Sequence, residues 1–186
     1  VNPIAVYVRE DFLSPGECEA ARRLFPPFPP HQAAVNASPV DAHVAPTVRR
    51  GRAVFLSVEP RSKEAEALCE RLSAQIRSVN DRLYKFDLAE HEDPQLAEYT
   101  VGDHYDWHLD LGPGRARLRK LSASVQLSPA DGYDGGELEI RGAGAVDRAE
   151  GTLIIFPSFL LHRVAPVTRG VRYSLVAWAS GETSFR

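Results

Sequence analysis

From residue 96 onward the chain breaks into short segments of strand character, at 96–101, 104–111, 118–127, 137–140, 151–156, 161–164 and 171–179. Asp131-Gly132 and Asp134-Gly135-Gly136 punctuate them as turns, because Gly and Asp tolerate the backbone angles a reversal needs. Two of these segments tell their faces apart. In 118–127 the residues Leu121, Ala123, Val125 and Leu127 alternate with Ser122, Ser124 and Gln126. In 171–179, Val171, Tyr173, Leu175, Ala177 and Ala179 alternate with Arg172, Ser174, Val176 and Trp178. A period of two puts each set on its own side of a sheet. Both polar sets can line a pocket only if both apolar sets pack beneath something else.

The first half of the chain supplies that cover. Ser14-Pro15-Gly16-Glu17 reads as N-cap, first helical position and capping-box acid, starting a helix that runs to about Phe25. Pro26, Pro27, Pro29 and Pro30 end it. Ala65, Leu68, Leu72, Ile76, Val79 and Leu83 recur at spacings of three and four, which predicts one face of a helix over 61–86. Residues 4–8 and 53–58 are further strand candidates, and 31–47 read as a long loop. Arg49, Arg50 and Arg52 lead into the second strand, either as a solvated edge or as a contact surface for an acidic substrate group. Helices followed by many short strands predict an α+β fold whose strands close into a two-sheet barrel or jelly roll. A single domain over 1–186 is expected, with helical support over about 1–95 and a strand-rich core over about 96–180.

Composition narrows the setting. A net charge of -3 and a pI near 6.1 argue against a nucleic-acid partner, which needs a basic face. Cys18 and Cys69 both fall in predicted helices, so a reducing, cytoplasmic compartment is expected rather than a disulfide framework. No apolar run is long enough for a membrane helix, and no cleavable signal pattern is visible. The chain begins at Val1 and contains no Met, so residues preceding Val1 in the full-length protein are expected.

His108 and Asp110 lie two apart in a predicted strand, so both project from one face. One more imidazole would complete a facial triad of two histidines and a carboxylate, suited to non-haem Fe(II) with positions left open. His162, set in the apolar stretch 156–164, is either a satisfied core histidine or that ligand. His104 is a spare ligand, and His91, among polar neighbours, is expected to be exposed. Arg172, Ser174 and Trp178 share a strand face, either as an arrangement fit to grip a carboxylate between a guanidinium fork, a hydroxyl and an apolar wall, or with Arg172 as a surface side chain snorkelling over the sheet.

His108-x-Asp110, His162 after 51 intervening residues and Arg172 ten positions later together resemble the 2-oxoglutarate- and Fe(II)-dependent dioxygenases, nearest their prolyl 4-hydroxylase-like branch. Asp134-Gly135-Gly136-Glu137-Leu138 and residues 151–157 resemble the turn and strand of that branch which precede the distal histidine. The resemblance covers about 96–180 and implies a double-stranded β-helix, the cupin-like jelly roll. It implies His108, Asp110 and His162 as metal ligands, with Arg172 pairing the far carboxylate of 2-oxoglutarate. Ser174 and Tyr99 would support that pairing, and Ser124 and Gln126 would touch the co-substrate. Tyr105 matches a substrate-contacting position, although strict alternation turns it away from His108, and Trp178 would wall the substrate pocket.

The implied reaction hydroxylates an unactivated C–H bond of a prolyl, amino-acid or peptide substrate with O2, releasing succinate and CO2, with ascorbate as an allowed reductant. Relatives that halogenate carry a small residue at the carboxylate position, so Asp110 favours hydroxylation. A nucleic-acid demethylating member would carry an arginine where Trp178 stands, and a metal-dependent hydrolase leaves Arg172 unexplained. A cupin-like, non-enzymatic metal-binding or sensing domain is the alternative of a different class. The basic stretch 112–119 and Lys120, with Arg115, Arg117 and Arg119, reads either as a solvated hairpin or, with the loop 31–52, as a substrate-selecting lid.

Overall fold

A computed structural model describes residues 6–25, 47–56 and 63–185. In chain order its elements are β1 (Tyr7–Arg9), α1 (Pro15–Arg23), β2 (Arg49–Arg50), β3 (Arg52–Phe55), α2 (Lys63–Val79), β4 (Glu90–His91), β5 (Gln95–Tyr99), β6 (His104–His108) and β7 (Arg119–Gln126). They continue with β8 (Tyr133–Gly135), β9 (Leu138–Ile140), β10 (Gly144–Ala145), β11 (Leu153–Pro157), β12 (His162–Val164), β13 (Val167–Gly170) and β14 (Arg172–Ser180). The proline cluster, most of the expected loop 31–47 and the ends of the expected strands at 4–8 and 53–58 lie outside the described residues.

Local chemistry explains where α1 starts. The Ser14 hydroxyl accepts from the Glu17 N–H at 3.3 Å, and Glu17 Oε2 accepts from the Ser14 N–H at 2.7 Å. Arg71 of α2 donates to Glu17 at 2.6 Å and ties the two helices together. Helix α2 ends in a π-helical turn, Asn80–Tyr84, closed by Lys85 in the left-handed conformation. That wider turn shifts the helical register, so Leu83 emerges exposed rather than on the buried face its spacing predicts.

The strands form two antiparallel sheets. The larger runs β1-β11-β7-β14-β5-β3 with β4 also on β14, the smaller runs β10-β9-β12-β6-β2, and β13 pairs with β8 beside them. Register aligns Ala123 of β7 with Ile155 of β11 and Ala177 of β14, and Val125 with Leu153 and Leu175. These residues pack under Cys18 and Ala21 of α1 and Leu72, Ile76 and Val79 of α2, in one buried apolar cluster. The opposite face of the same strands carries Ser122 beside Trp178, Ser124 beside Val176 and Gln126 beside Ser174. Both alternations therefore have the sense expected, apolar toward the helices and polar toward the smaller sheet. Leu138, Ile140, Ile154 and Phe156 fill one end of the space between the sheets.

Candidate functional site

β6 and β12 are neighbours in the smaller sheet, and their register sets His108 opposite His162 with ring centroids 4.2 Å apart. The strand stops at His108, short of the expected 104–111, so Asp110 reaches the same site from the loop that follows. Two contacts from the larger sheet's side hold it there. The Asp110 N–H donates to the Ser158 carbonyl at 3.1 Å, and Asp110 Oδ2 accepts from the Ser122 hydroxyl at 2.6 Å. Ser122 and Ser158 hydroxyls lie 2.9 Å apart, both buried.

His108 Nδ1 faces the Asp106 carbonyl at 2.7 Å, and His162 Nδ1 faces the Leu160 carbonyl at 2.9 Å. A carbonyl only accepts, so each Nδ1–H donates there and each Nε2 is left facing the site. Those Nε2 atoms stand 3.7 Å and 3.5 Å from Asp110 Oδ1 and Oδ2. One ligand atom from each residue lies within 4.8 Å of the others. Two neutral nitrogens and one carboxylate oxygen at that spacing fit a divalent first-row metal. Burial and the neighbouring His162 push the His108 imidazole down to about 3, so it stays neutral. Burial opposes ionisation of Asp110, but the two imidazoles, the Arg119 guanidinium and the Ser122 hydrogen bond outweigh it and hold the carboxyl well below its usual range.

Arg172 stands at the other end of the same pocket. Its side chain is only 1% exposed, its Nη2 donates to Gln126 Oε1 at 3.0 Å and its Nη1 to Ser174 Oγ at 3.3 Å. Tyr99 lies directly opposite on β5, with the guanidinium carbon 5.6 Å from its ring. Gly136 makes the space. Its φ is +66°, and a Cβ there would stand 3.0 Å from Arg172 Cδ. Ser124 and Trp178 line the pocket wall, whereas Gln126 stands behind Arg172 and meets the site through it.

Tyr105 departs from strict alternation. Val164 pairs with Tyr105 while His162 pairs with His108, so β6 spends one more residue than β12 over that step. This bulge turns Tyr105 onto the His108 face, where the two rings stack with centroids 3.4 Å apart. Burial pushes its hydroxyl up to about 12.

Other side chains at the site carry no motif. Arg49 is buried in the pocket wall rather than at a solvated edge, donating to Gln95 at 3.0 Å with its guanidinium over the Tyr105 ring. Arg50 and Arg52 pair with Asp103 and Glu98. Arg119 and Lys120 are also buried, while Arg115 and Arg117 are exposed on a 3-10 turn, Gly114–Leu118. His104 stays out of the triad, near the Gly102 and Thr47 carbonyls, and His91 is half-buried on β4 rather than exposed.

Comparison with solved structures gives the same fold. A prolyl-4-hydroxylase of Pseudomonas putida superposes with a TM-score of 0.76 at 23% identity, covering 95% of this chain and 93% of that one. A prolyl hydroxylase of Trichoplax adhaerens, solved with a hypoxia inducible factor peptide fragment, superposes with a TM-score of 0.73 at 21% identity, covering 97% and 86%. Among curated proteins, a PKHD-type hydroxylase of Hyphomonas neptunium is 37% identical over 139 residues, 70% of this chain and 60% of that protein. A PKHD-type hydroxylase of Teredinibacter turnerae is 44% identical over 93 residues, 46% and 41%. The matched stretch thus spans 60% or less of the length of these curated relatives. Residues 94–180, which hold the triad and Arg172, match the model of the 2OG-Fe(II) oxygenase superfamily.

Proposed function

We propose that the chain is a single-domain Fe(II)- and 2-oxoglutarate-dependent hydroxylase acting on an unactivated C–H bond of a prolyl, amino-acid or peptide substrate. The observation that carries this reading is Arg172. Burying a guanidinium is costly unless an opposite charge answers it. Among the described residues its hydrogen-bond partners are neutral, and its Nε is buried without a partner. A dicarboxylate with one end at Arg172 and the other at the triad would supply the missing charge in the one pocket that both line.

His108, Asp110 and His162 would hold the metal, which when bound couples O2 reduction and oxidative decarboxylation of 2-oxoglutarate to hydroxylation, releasing succinate and CO2. The chain's own part is to present two imidazoles with Nε2 unprotonated, keep Asp110 ionised and orient the co-substrate through Arg172. Ser174 and Gln126 fix the guanidinium fork, and Tyr99 packs beside it. Tyr105 and Trp178 would flank the substrate. Among the described residues no helix is long and apolar enough to cross a membrane. The reducing, cytoplasmic setting is proposed from the low cysteine count, Cys18 and Cys69 both being buried. Peptide and amino-acid substrates are favoured because the solved relatives of the same fold are named as prolyl hydroxylases.

The test is succinate release from 2-oxoglutarate by the Fe(II)-loaded protein, with and without ascorbate, screened against amino acids and proline-containing peptides. Turnover that needs both Fe(II) and 2-oxoglutarate and disappears in His108→Ala supports the reading. Wild-type protein that binds the metal but neither binds nor turns over 2-oxoglutarate would leave a non-enzymatic, cupin-like metal-binding domain in its place.

A further inference from the structure

β7 begins with a charged side chain that turns into the pocket wall instead of out to water. Arg119 is 4% exposed and touches three parts of the site at once. Its Nε and Nη2 donate to the two carboxylate oxygens of Glu92 at 2.7 Å and 2.6 Å. Its Nη1 donates to the backbone carbonyl of Asp110 at 3.3 Å, and its guanidinium carbon lies 3.9 Å from the Trp178 ring centroid. Glu92 is itself anchored, since its N–H donates to the Trp178 carbonyl at 2.9 Å and its Oε1 accepts from Ser180 Oγ at 3.3 Å.

We infer that Arg119 is a positioning residue for Asp110, and that Glu92 is the counter-charge that lets an arginine stand beside a cation site. This rests on the reading of His108, Asp110 and His162 as metal ligands. Asp110 lies past the end of β6, where no strand ladder fixes its backbone. Ser158 holds its N–H, Ser122 its carboxylate, and Arg119 its carbonyl, so the arginine completes the restraint of that residue. The restraint needs a guanidinium. One planar fork spans both Glu92 oxygens, lies over the indole and still has Nη1 for the carbonyl, which a lysine ammonium cannot reproduce. Charge supplies the second half. A fixed positive group near Asp110 opposes a divalent ion, and with side-chain exposures of 5% and 21% the Arg119–Glu92 pair is little screened by salt. The bidentate carboxylate cancels the guanidinium charge where it stands. Glu92→Gln would leave that charge beside the metal site.

The experiment is Co(II) titration of the full chain, followed by calorimetry and visible absorption, for wild type, Arg119→Lys and Glu92→Gln. Ser14→Ala, which weakens a distant helix cap, serves as the destabilised control. Both test variants are expected to bind Co(II) about 10–100-fold more weakly, with the Arg119→Lys absorption spectrum altered by a displaced ligand. Their affinity for 2-oxoglutarate at saturating Co(II) is expected to stay at the wild-type value, because Arg172 is untouched. Should Arg119→Lys fail to fold, Glu92→Gln decides alone, since it keeps the side-chain shape. Wild-type Co(II) affinity and spectrum in the folded variants overturn the inference, as does an affinity loss matched by Ser14→Ala. A wild-type chain that fails to bind Co(II) overturns the proposed function instead.

Discussion

Asp110 and Arg172 are opposite kinds of buried charge, and the difference separates what each does. Asp110 accepts from the Ser122 hydroxyl and lies near the Arg119 guanidinium, so it remains a carboxylate in a buried site. Arg172 meets an amide oxygen and a hydroxyl, which leave its charge unanswered until an anion arrives. Arg172→Lys keeps the charge and loses the fork, so 2-oxoglutarate affinity is expected to fall about 10–100-fold, the worth of a charge-assisted hydrogen bond. Co(II) affinity should hold, and calorimetry with each ligand in turn checks both. Ser122→Ala acts at the other end. Losing the 2.6 Å hydrogen bond to Oδ2 should weaken Co(II) binding by roughly 10-fold or more; equal affinity would show that Ser158 and Arg119 alone hold Asp110. The proposed triad and Arg172 were readable as candidates through their resemblance to the 2-oxoglutarate- and Fe(II)-dependent dioxygenases, since His162 taken alone also reads as a core histidine. Ser122 was legible only as a member of a polar face, and Ser158, Glu92 and Arg119 were not, since a residue that restrains another through space carries no spacing.

At the scale of elements, alternation read two strands correctly and misread a third. β7 and β14 keep their pairing from Gln126–Ser174 to Leu121–Ala179, with an irregularity only where Ser180 meets Arg119, so over that stretch every second residue keeps its side. β6 carries a bulge, and after one extra residue the parity reverses, which is why Tyr105 shares a face with His108. A bulge needs no signature residue, so nothing in Tyr105-Asp106-Trp107 announces it. The π-helical turn after α2 has the same effect on Leu83. The cap of α1, by contrast, is written in adjacent residues and is found as read. Ser14→Ala should cost about 1 kcal/mol of stability, seen as a lower urea midpoint with the Co(II) affinity of the folded protein unchanged. A midpoint equal to wild type would mean that Arg71 holds Glu17 and the helix end without the serine.

Across the whole molecule, the core shared by helices and sheet protonates groups that would otherwise ionise in mild alkali. Burial pushes the Cys18 thiol up to about 11 and the Tyr84, Tyr105 and Tyr173 hydroxyls up to about 12. In the unfolded chain such groups ionise near their ordinary values, about 8.5 for a thiol and about 10 for a phenol. Between those limits the folded state binds more protons than the unfolded one, so stability falls as pH rises. Their contribution is fully present below about pH 8 and is lost progressively up to about pH 12. The urea midpoint should therefore drop steadily from pH 8 to 11. A flat midpoint across that window would contradict the burial of these side chains.

The sequence by itself determined the start of α1, the general placement of the longer strands and the sense of both alternations, because each is set by neighbours within a few positions, while the residues proposed for the metal and co-substrate ends were suggested by resemblance. Only the tertiary structure decided how His108, His162 and Asp110 converge. It also decided that Arg49 and Arg119 turn inward, and that Tyr105 stacks on a proposed ligand. Each of these depends on pairing between strands distant in sequence, on a bulge, or on a loop restrained from the opposite sheet. Such relations arise only when the two sheets close on each other.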